Sequence, residues 1–294
     1  MKITALVTLY KPDSSVRNNI ESLIKQVTNV ILLDNTELID NSELFNNLNN
    51  CTYILNEKNL GLSSAFNKVL CNDSNIKQSD YIIFFDQDSC VTDNFIKKLI
   101  NDYNKISEIN KIGCLGAVYY DSVKKEYGGF SRIKNEICDN CYEVSELITS
   151  ALITKYSTLE AVGFWNENIF LDYADYDLCW RLNKAGYHIF ITKNAILNHS
   201  LGTGTIKIRI LWKQLNVSYS PPLREYYQTR EAIKLLFKFY VPIRWKKNFL
   251  FNLFIRIFIF CFKLENGKER YYYYLKGFKD GILKRNGEYT VERR

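Results

Sequence analysis

Along the first ninety residues, uninterrupted apolar runs alternate with segments whose apolar residues return every three or four positions. The runs are ITALVTLY (3–10), NVILLDN (29–35), CTYILN (51–56) and DYIIFFD (80–86). None alternates inside and outside as a half-solvated strand would, so each predicts a strand covered on both faces. Between them, SSVRNNIESLIKQV places Val16, Ile20, Leu23, Ile24 and Val27 at helical spacing, and GLSSAFNKVLC and NFIKKLINDY predict further helices. Strands separated by helices predict an α/β fold, a Rossmann-like and mostly parallel sheet with helices on both faces. A later helix runs through LCWRLNKA and stops at Gly186, a C-terminal cap signal.

Beyond residue 200 the texture changes. LGTGT predicts a loop in which Gly202 and Gly204 give the freedom to close over a ligand. YSPPLREYYQTREAIKLLFKFY follows as a turn and a Tyr-, Arg- and Lys-rich helix. FLFNLFIRIFIFCF (249–262) is apolar nearly all round, too short for a bilayer span of about 20 residues and interrupted by Arg256. On a helix, Asn248, Asn252, Arg256 and Lys263 would share one polar stripe. Both a helix lying in a membrane interface and a helix packed into the protein's own core fit that pattern. The expected division is a nucleotide-binding and catalytic domain over 1–215 and a basic, aromatic, helical C-terminal extension over 216–294, with membrane contact through the latter.

The composition, 47% apolar and 24% charged over 294 residues, is that of a globular protein. Its net charge of +7 is divided unevenly: residues 201–294 hold 20 Lys+Arg against 7 Asp+Glu, leaving 19 against 25 in residues 1–200. The basic part is aromatic and aliphatic together, which favours a lipid surface over nucleic acid. The N-terminal MKITALVTLYKP is too short and too β-branched for a signal sequence and reads as the first strand of a cytoplasmic protein. The eight cysteines are scattered and read as reduced thiols. TLYKPDSS contains no glycine and no G-x-x-x-x-G-K-[ST] occurs, which disfavours nucleotidyltransferases and P-loop enzymes.

In open parallel sheets, ligands bind outside the carboxyl ends of the strands. Those ends here carry Thr8 and Tyr10, Asp34 and Asn35, Asn56 and Asn59, and Asp86 and Asp88. Asp86-Gln87-Asp88 has the spacing that presents carboxylate oxygens to one hard divalent ion, Mg²⁺ or Mn²⁺, completed by substrate phosphates. A second acidic group, Asp172, Asp175 and Asp177, crowds the start of the helix ending at Gly186; capping explains at least one of them, and a general base toward a hydroxyl would explain another. His199, after an apolar run, is either structural or a third metal ligand.

Five segments in order, LVTLYKP, ILLDN, NEKNLGLSSAFN, FFDQDS and VGFWNENIFLDYADYDLCWRLNKAGY, resemble the family-2 glycosyltransferases of the GT-A fold. DQDS followed by FLDYADYDLCWR is most similar to their bacterial rhamnosyltransferase branch. The resemblance covers about residues 1–230. It implies an inverting transfer of a sugar from a nucleoside-diphosphate donor to an acceptor hydroxyl, and by position it implies roles for individual residues. Thr8, Tyr10, Asp34, Asn59, Gly61 and Ser63 would hold the nucleotide. Asp86, Gln87 and Asp88 would meet the diphosphate, with Asp88 and Asp86, and His199 as in some relatives, holding Mn²⁺ or Mg²⁺. Asp175 would be the base, with Asp172 beside it replacing the glutamate that many relatives place where Ala174 stands. Trp165 and Arg224 would lie on the acceptor side. REYYQTR departs from the family pattern, Glu231 following Arg230 where relatives have Asn. The implied acceptor is a lipid-linked or polysaccharide glycan at the inner face of the plasma membrane, as in capsule or O-antigen assembly. The best-fitting donor is dTDP-rhamnose. A UDP-hexose, and a non-enzymatic basic membrane module, are the alternatives.

Overall fold

A computed structural model describes residues 1–121, 125–129, 133–199, 204–210 and 213–290; Gly202 lies outside them. The chain divides into two compact units, one of Met1–Phe170, Ala174–Ser200 and Gly287–Arg294, the other of Leu171–Tyr173 and Leu201–Asn286.

The first unit is built on one sheet. Its strands are β1 (Ile3–Leu9), β2 (Asn29–Asp34), β3 (Cys51–Leu55), β4 (Tyr81–Asp86), β5 (Ile112–Asp121), β6 (Glu126–Gly128), β7 (Asn135–Cys138), β8 (Cys141–Val144), β9 (Leu152–Thr154) and β10 (His188–Asn198). Their order is β3-β2-β1-β4-β9-β5-β10-β8-β7, with β6 on β5. The helices are α1 (Ser14–Ile24), α2 (Gly61–Asn72), α3 (Ser74–Lys77), α4 (Phe95–Ser107), α5 (Tyr156–Ala161) and α6 (Ala174–Lys184). β1, β2, β3 and β4 are mutually parallel, as the uninterrupted apolar runs predict. β3 differs from the expectation of two-sided burial: it is the edge strand, and its side chains are only partly covered. β9 runs antiparallel between β4 and β5, while β10 is parallel to β5.

Amphipathic helices close the core. α1 buries Val16, Ile20 and Leu23 under an N-cap Asp13 that accepts the Ser15 N–H. α4 buries Phe95, Ile96, Leu99, Ile100, Tyr103 and Ile106. In register, Thr8 pairs with Asp86 and Leu9 with Asp34, so β1, β2 and β4 all end at one edge of the sheet. Gly186 ends α6 in the left-handed region, φ 78°, and the Tyr187 N–H caps back onto the Leu182 carbonyl at 3.0 Å.

The second unit contains the hairpin β11 (Gly204–Ile210) and β12 (Lys213–Tyr219), then α7 (Pro222–Leu236), α8 (Ile243–Lys263) and α9 (Gly267–Ile282). α7 and α9 share buried charges. Arg230 and Glu231 pair at 2.5 Å, Lys234 reaches Glu231 at 2.9 Å, and Arg270 pairs with Glu225. The Arg230-Glu231 departure in REYYQTRE is therefore a buried ion pair within this unit. α8 carries its aromatic side outward: Phe251, Phe254, Phe258 and Phe262 are each between 66% and 77% exposed. Arg256, expected on a common polar stripe, turns inward to Gln228 Oε1 at 3.1 Å and over the Phe260 ring. Among the described residues, no helix is long and apolar enough to cross a membrane.

Candidate active site

The acidic strand end and the distant histidine meet through backbone pairing. Cys90 and Asn198 form an isolated antiparallel bridge, with N–H···O distances of 3.0 and 3.2 Å, and the His199 N–H is held by the Tyr120 carbonyl at 3.1 Å. This brings Asp86, Asp88 and His199 together, with their ligand atoms all within 4.8 Å of one another. His199 Nδ1 pairs with Asp88 Oδ1 at 3.1 Å. Burial alone would lower the His199 pKa; the Asp88, Asp86 and Asp121 carboxylates raise it overall. An octahedral ion with bonds of about 2.1 Å separates its ligand atoms by about 3 to 4 Å, so a small contraction of this trio would suffice. Two carboxylates and one imidazole nitrogen fit a divalent cation of the Mn²⁺ or Mg²⁺ type.

Asp86 is aimed by Ser150, whose hydroxyl donates to Asp86 Oδ2 at 2.6 Å. The preceding residue aims Asp175: the Thr149 N–H donates to Asp175 Oδ2 at 3.1 Å, and the Tyr176 N–H donates to Oδ1 at 2.8 Å. Two carboxylates from opposite ends of the sequence pattern are thus anchored on consecutive residues. Thr149 and Ser150 carried no signal in the sequence, because ELITSALIT reads only as another apolar run.

The other carboxylates of the acidic motif have different surroundings. Asp177 is fully buried and paired with Arg181 Nε at 2.6 Å. Asp172, in the second unit, sits 3.2 Å from Arg224 Nε, with Gln228 at 3.4 Å. Burial pushes the Asp172 pKa up, against the opposing pull of Arg224, Gln228 and Arg256.

At the carboxyl ends of the parallel strands, Gln87 clamps β1 to β4, accepting the Tyr10 N–H at 2.8 Å and donating to the Tyr10 carbonyl at 3.2 Å. Asp34 is buried and accepts from Thr36 N–H, Asn41 Nδ2 and the Tyr53 hydroxyl. Asn59 Oδ1 accepts the Gly61 N–H at 3.0 Å, and its amide donates to Glu288 at 3.4 Å. Gly61 adopts φ 71°, and a Cβ there would fall 2.2 Å from the Phe170 carbonyl oxygen. Its glycine is thus required by close packing against that strand-free segment, and Ser63 behind it is fully buried. Thr8 stays half-buried at the strand end. Trp165 needs a correction: it is 1% exposed and packs on Phe66 and Phe84, so its ring has no surface to offer an acceptor.

The Glycosyl transferase family 2 model matches residues 4–151, half of the chain. The chain belongs to that family. This glycosyltransferase is 29% identical over 255 residues to the dTDP-rhamnosyl transferase RfbF of Shigella flexneri, covering 82% of each chain. Among solved structures it is similar to S. aureus TarS 1-349 in complex with UDP, at 15% identity and TM-score 0.57, covering 97% of this chain and 81% of that one. It is also similar to GalNAc-T7 with UDP, GalNAc and Mn²⁺, at 14% identity and TM-score 0.56; the match covers 84% of this chain and only 54% of that one. These structural likenesses support the GT-A fold.

Proposed function

We propose that this glycosyltransferase moves L-rhamnose, with inversion, from dTDP-rhamnose to a hydroxyl of a lipid-linked or polysaccharide acceptor in bacterial surface-glycan synthesis. The observation that supports the reaction is the anchoring of Asp86 and Asp175 on the neighbouring residues Ser150 and Thr149, which ties a diphosphate-side carboxylate and a hydroxyl-side carboxylate to one turn. Inversion requires one base on the face opposite the leaving group. Asp175, held by two backbone N–H groups, takes the proton of the acceptor hydroxyl as its oxygen attacks the anomeric carbon. Asp86, Asp88 and His199 would hold Mn²⁺ or Mg²⁺, which when bound neutralises charge on the departing nucleoside diphosphate. Asp172, its charge matched by Arg224, is assigned no proton transfer. The likeness to RfbF favours dTDP-rhamnose over a UDP-hexose.

The aromatic face of α8 would rest on the inner face of the plasma membrane. The excess of cations in the C-terminal part suits an anionic surface, where each contributes about 1 kcal/mol. The deciding experiment measures release of free nucleoside diphosphate from dTDP-rhamnose, UDP-hexoses and GDP-mannose, with Mn²⁺ or Mg²⁺ and with chelator. Metal-dependent turnover of dTDP-rhamnose alone is expected. Turnover of a UDP-sugar alone would discard the rhamnosyl assignment and keep the mechanism.

A further inference from the structure

Asp34 and Asn35, at the end of β2, engage different loops. Asp34 holds residues 36–41 through Thr36 and Asn41. Asn35, also buried, turns to the segment that joins β3 to α2. Its Oδ1 accepts the Asn56 amide at 2.9 Å and the Leu60 N–H at 3.3 Å, and its Nδ2 donates to the Gly61 carbonyl at 3.0 Å. The Asn35 N–H is itself fixed to the Leu9 carbonyl at 2.9 Å, so this side chain projects from backbone already tied to β1. Asn56 extends the network, with its N–H on the Asp34 carbonyl at 2.9 Å and its Oδ1 accepting from Lys68 Nζ, on α2, at 2.7 Å. One buried carboxamide thus links the carboxyl ends of β1, β2 and β3 to the first turn of α2.

The linked segment needs such a support. Residues 56–60 form neither helix nor strand, so their backbone polar groups have to find partners outside a ladder. A carboxamide supplies a donor and an acceptor from one planar group, whereas a carboxylate supplies acceptors alone. Asn59 takes its direction from the same point, because its Oδ1 accepts the Gly61 N–H at 3.0 Å. The order of dependence therefore runs from Asn35 to Gly61 to Asn59. Ligands of open parallel sheets bind outside these strand ends. Asn59 is partly exposed there and placed to meet one, while Asn35 is too buried to do so itself.

We propose that Asn35 is a positioning residue for the donor: it sets the Asn59–Gly61 turn on which the nucleotide part rests, without touching it. The inference rests on the nucleoside-diphosphate donor assigned above, and its test separates the two. Binding of dTDP and of UDP, each with Mn²⁺, would be measured well below the melting temperature on wild type, Asn35→Ala, Asn35→Asp and Ile106→Val. Ile106→Val is the control for lost stability, a buried truncation near the C-terminal end of α4 that leaves the turn alone. For whichever nucleotide wild type binds, Asn35→Ala should lose about 10-fold or more in affinity, since two hydrogen bonds to the turn are removed. Asn35→Asp keeps the acceptor for Leu60 but faces the Gly61 carbonyl with a second oxygen, so it should lose affinity too. Being nearly isosteric, it carries the test if Asn35→Ala does not fold. In turnover both variants should raise donor KM with kcat at saturating donor little changed, the mark of a lost ground-state contact. Ile106→Val should bind as wild type does. Wild-type affinity in both Asn35 variants, or an equal loss in Ile106→Val, overturns the proposal and leaves the donor assignment standing. A wild-type protein that binds neither nucleotide overturns the donor assignment, and the proposal with it.

Discussion

Ser150→Ala isolates the positioning of Asp86, the carboxylate proposed to hold the metal. The hydroxyl donates to Asp86 Oδ2 at 2.6 Å and lies 3.3 Å from the Asp86 N–H. A hydrogen bond to a charged group is worth about 1.5–3 kcal/mol. Groups that orient a metal ligand typically change metal affinity by about 10- to 100-fold, which is about 1.4–2.7 kcal/mol. The two estimates agree, so Mn²⁺ affinity should fall by at least about 10-fold. The assay is a Mn²⁺ titration of the donor-free protein followed by the paramagnetic signal of free Mn²⁺, with a thermal melt as control. Ser150→Thr, which retains the hydroxyl, should restore most of the affinity. Unchanged Mn²⁺ binding in Ser150→Ala, with an unchanged melt, would refute the view that this hydroxyl sets the geometry of Asp86.

Asp175→Asn should lower kcat by about 10²- to 10⁴-fold while leaving donor affinity intact, because it removes a base and no donor contact; single-turnover transfer and donor titration read the two separately. Gly61→Ala should destabilise the protein by about 2–3 kcal/mol, combining the left-handed backbone with loss of the 2.7 Å Leu62 N–H to Phe170 carbonyl bond; urea denaturation would reveal it, and an unchanged midpoint would contradict the packing. Burial and the neighbouring Glu37 carboxylate raise the Glu288 pKa from 4.5 to about 7. Between those values the docked tail binds more protons than the free one, so its docking should weaken as pH rises through that window; exchange of residues 287–290, corrected for intrinsic rate, should show this in wild type and not in Glu288→Gln. Replacing both Phe254 and Phe258 by Glu should weaken flotation with anionic liposomes by about 100-fold or more, since each ring forfeits its burial in lipid.

The strand ends were legible because burial on both faces leaves an apolar run with no alternation, and polar residues at its end then have to answer to a ligand or a turn. Asp86 and Asp88 stood out on that logic, and Asp175 on another, as one of three carboxylates crowding a helix start. The convergence of His199 on Asp88 was not legible as geometry, since it depends on the Cys90–Asn198 bridge between segments far apart in sequence. Nor was β9: three residues inserted antiparallel between β4 and β5 have no periodicity of their own. Thr149 and Ser150, which precede it, were hidden for the same reason. Arg256 misled in another way. A lone cation on an apolar helix suggests the solvent side, but Gln228 and the Phe260 ring offer it partners inside the second unit, which leaves the phenylalanines outside.

The acidic motif FLDYADYD presents three carboxylates that composition alone cannot rank, and their surroundings do. A base needs a carboxylate that is oriented and reaches substrate. Asp177 is paired with Arg181 at 2.6 Å and has no exposed surface, so it can reach nothing. Asp172, its side chain 10% exposed, answers to Arg224, which is 47% exposed and keeps its hydration, so removing Arg224 would chiefly strand the carboxylate. Asp175 is partly exposed at the first turn of α6, where the Thr149 and Tyr176 N–H groups fix its two oxygens. Its anchor at Thr149 is also the neighbour of the anchor of Asp86. The proposed base and the proposed metal-binding carboxylate are therefore tied to two donors whose Cα atoms lie one peptide link, about 3.8 Å, apart, so a shift of that turn would disturb a contact of each.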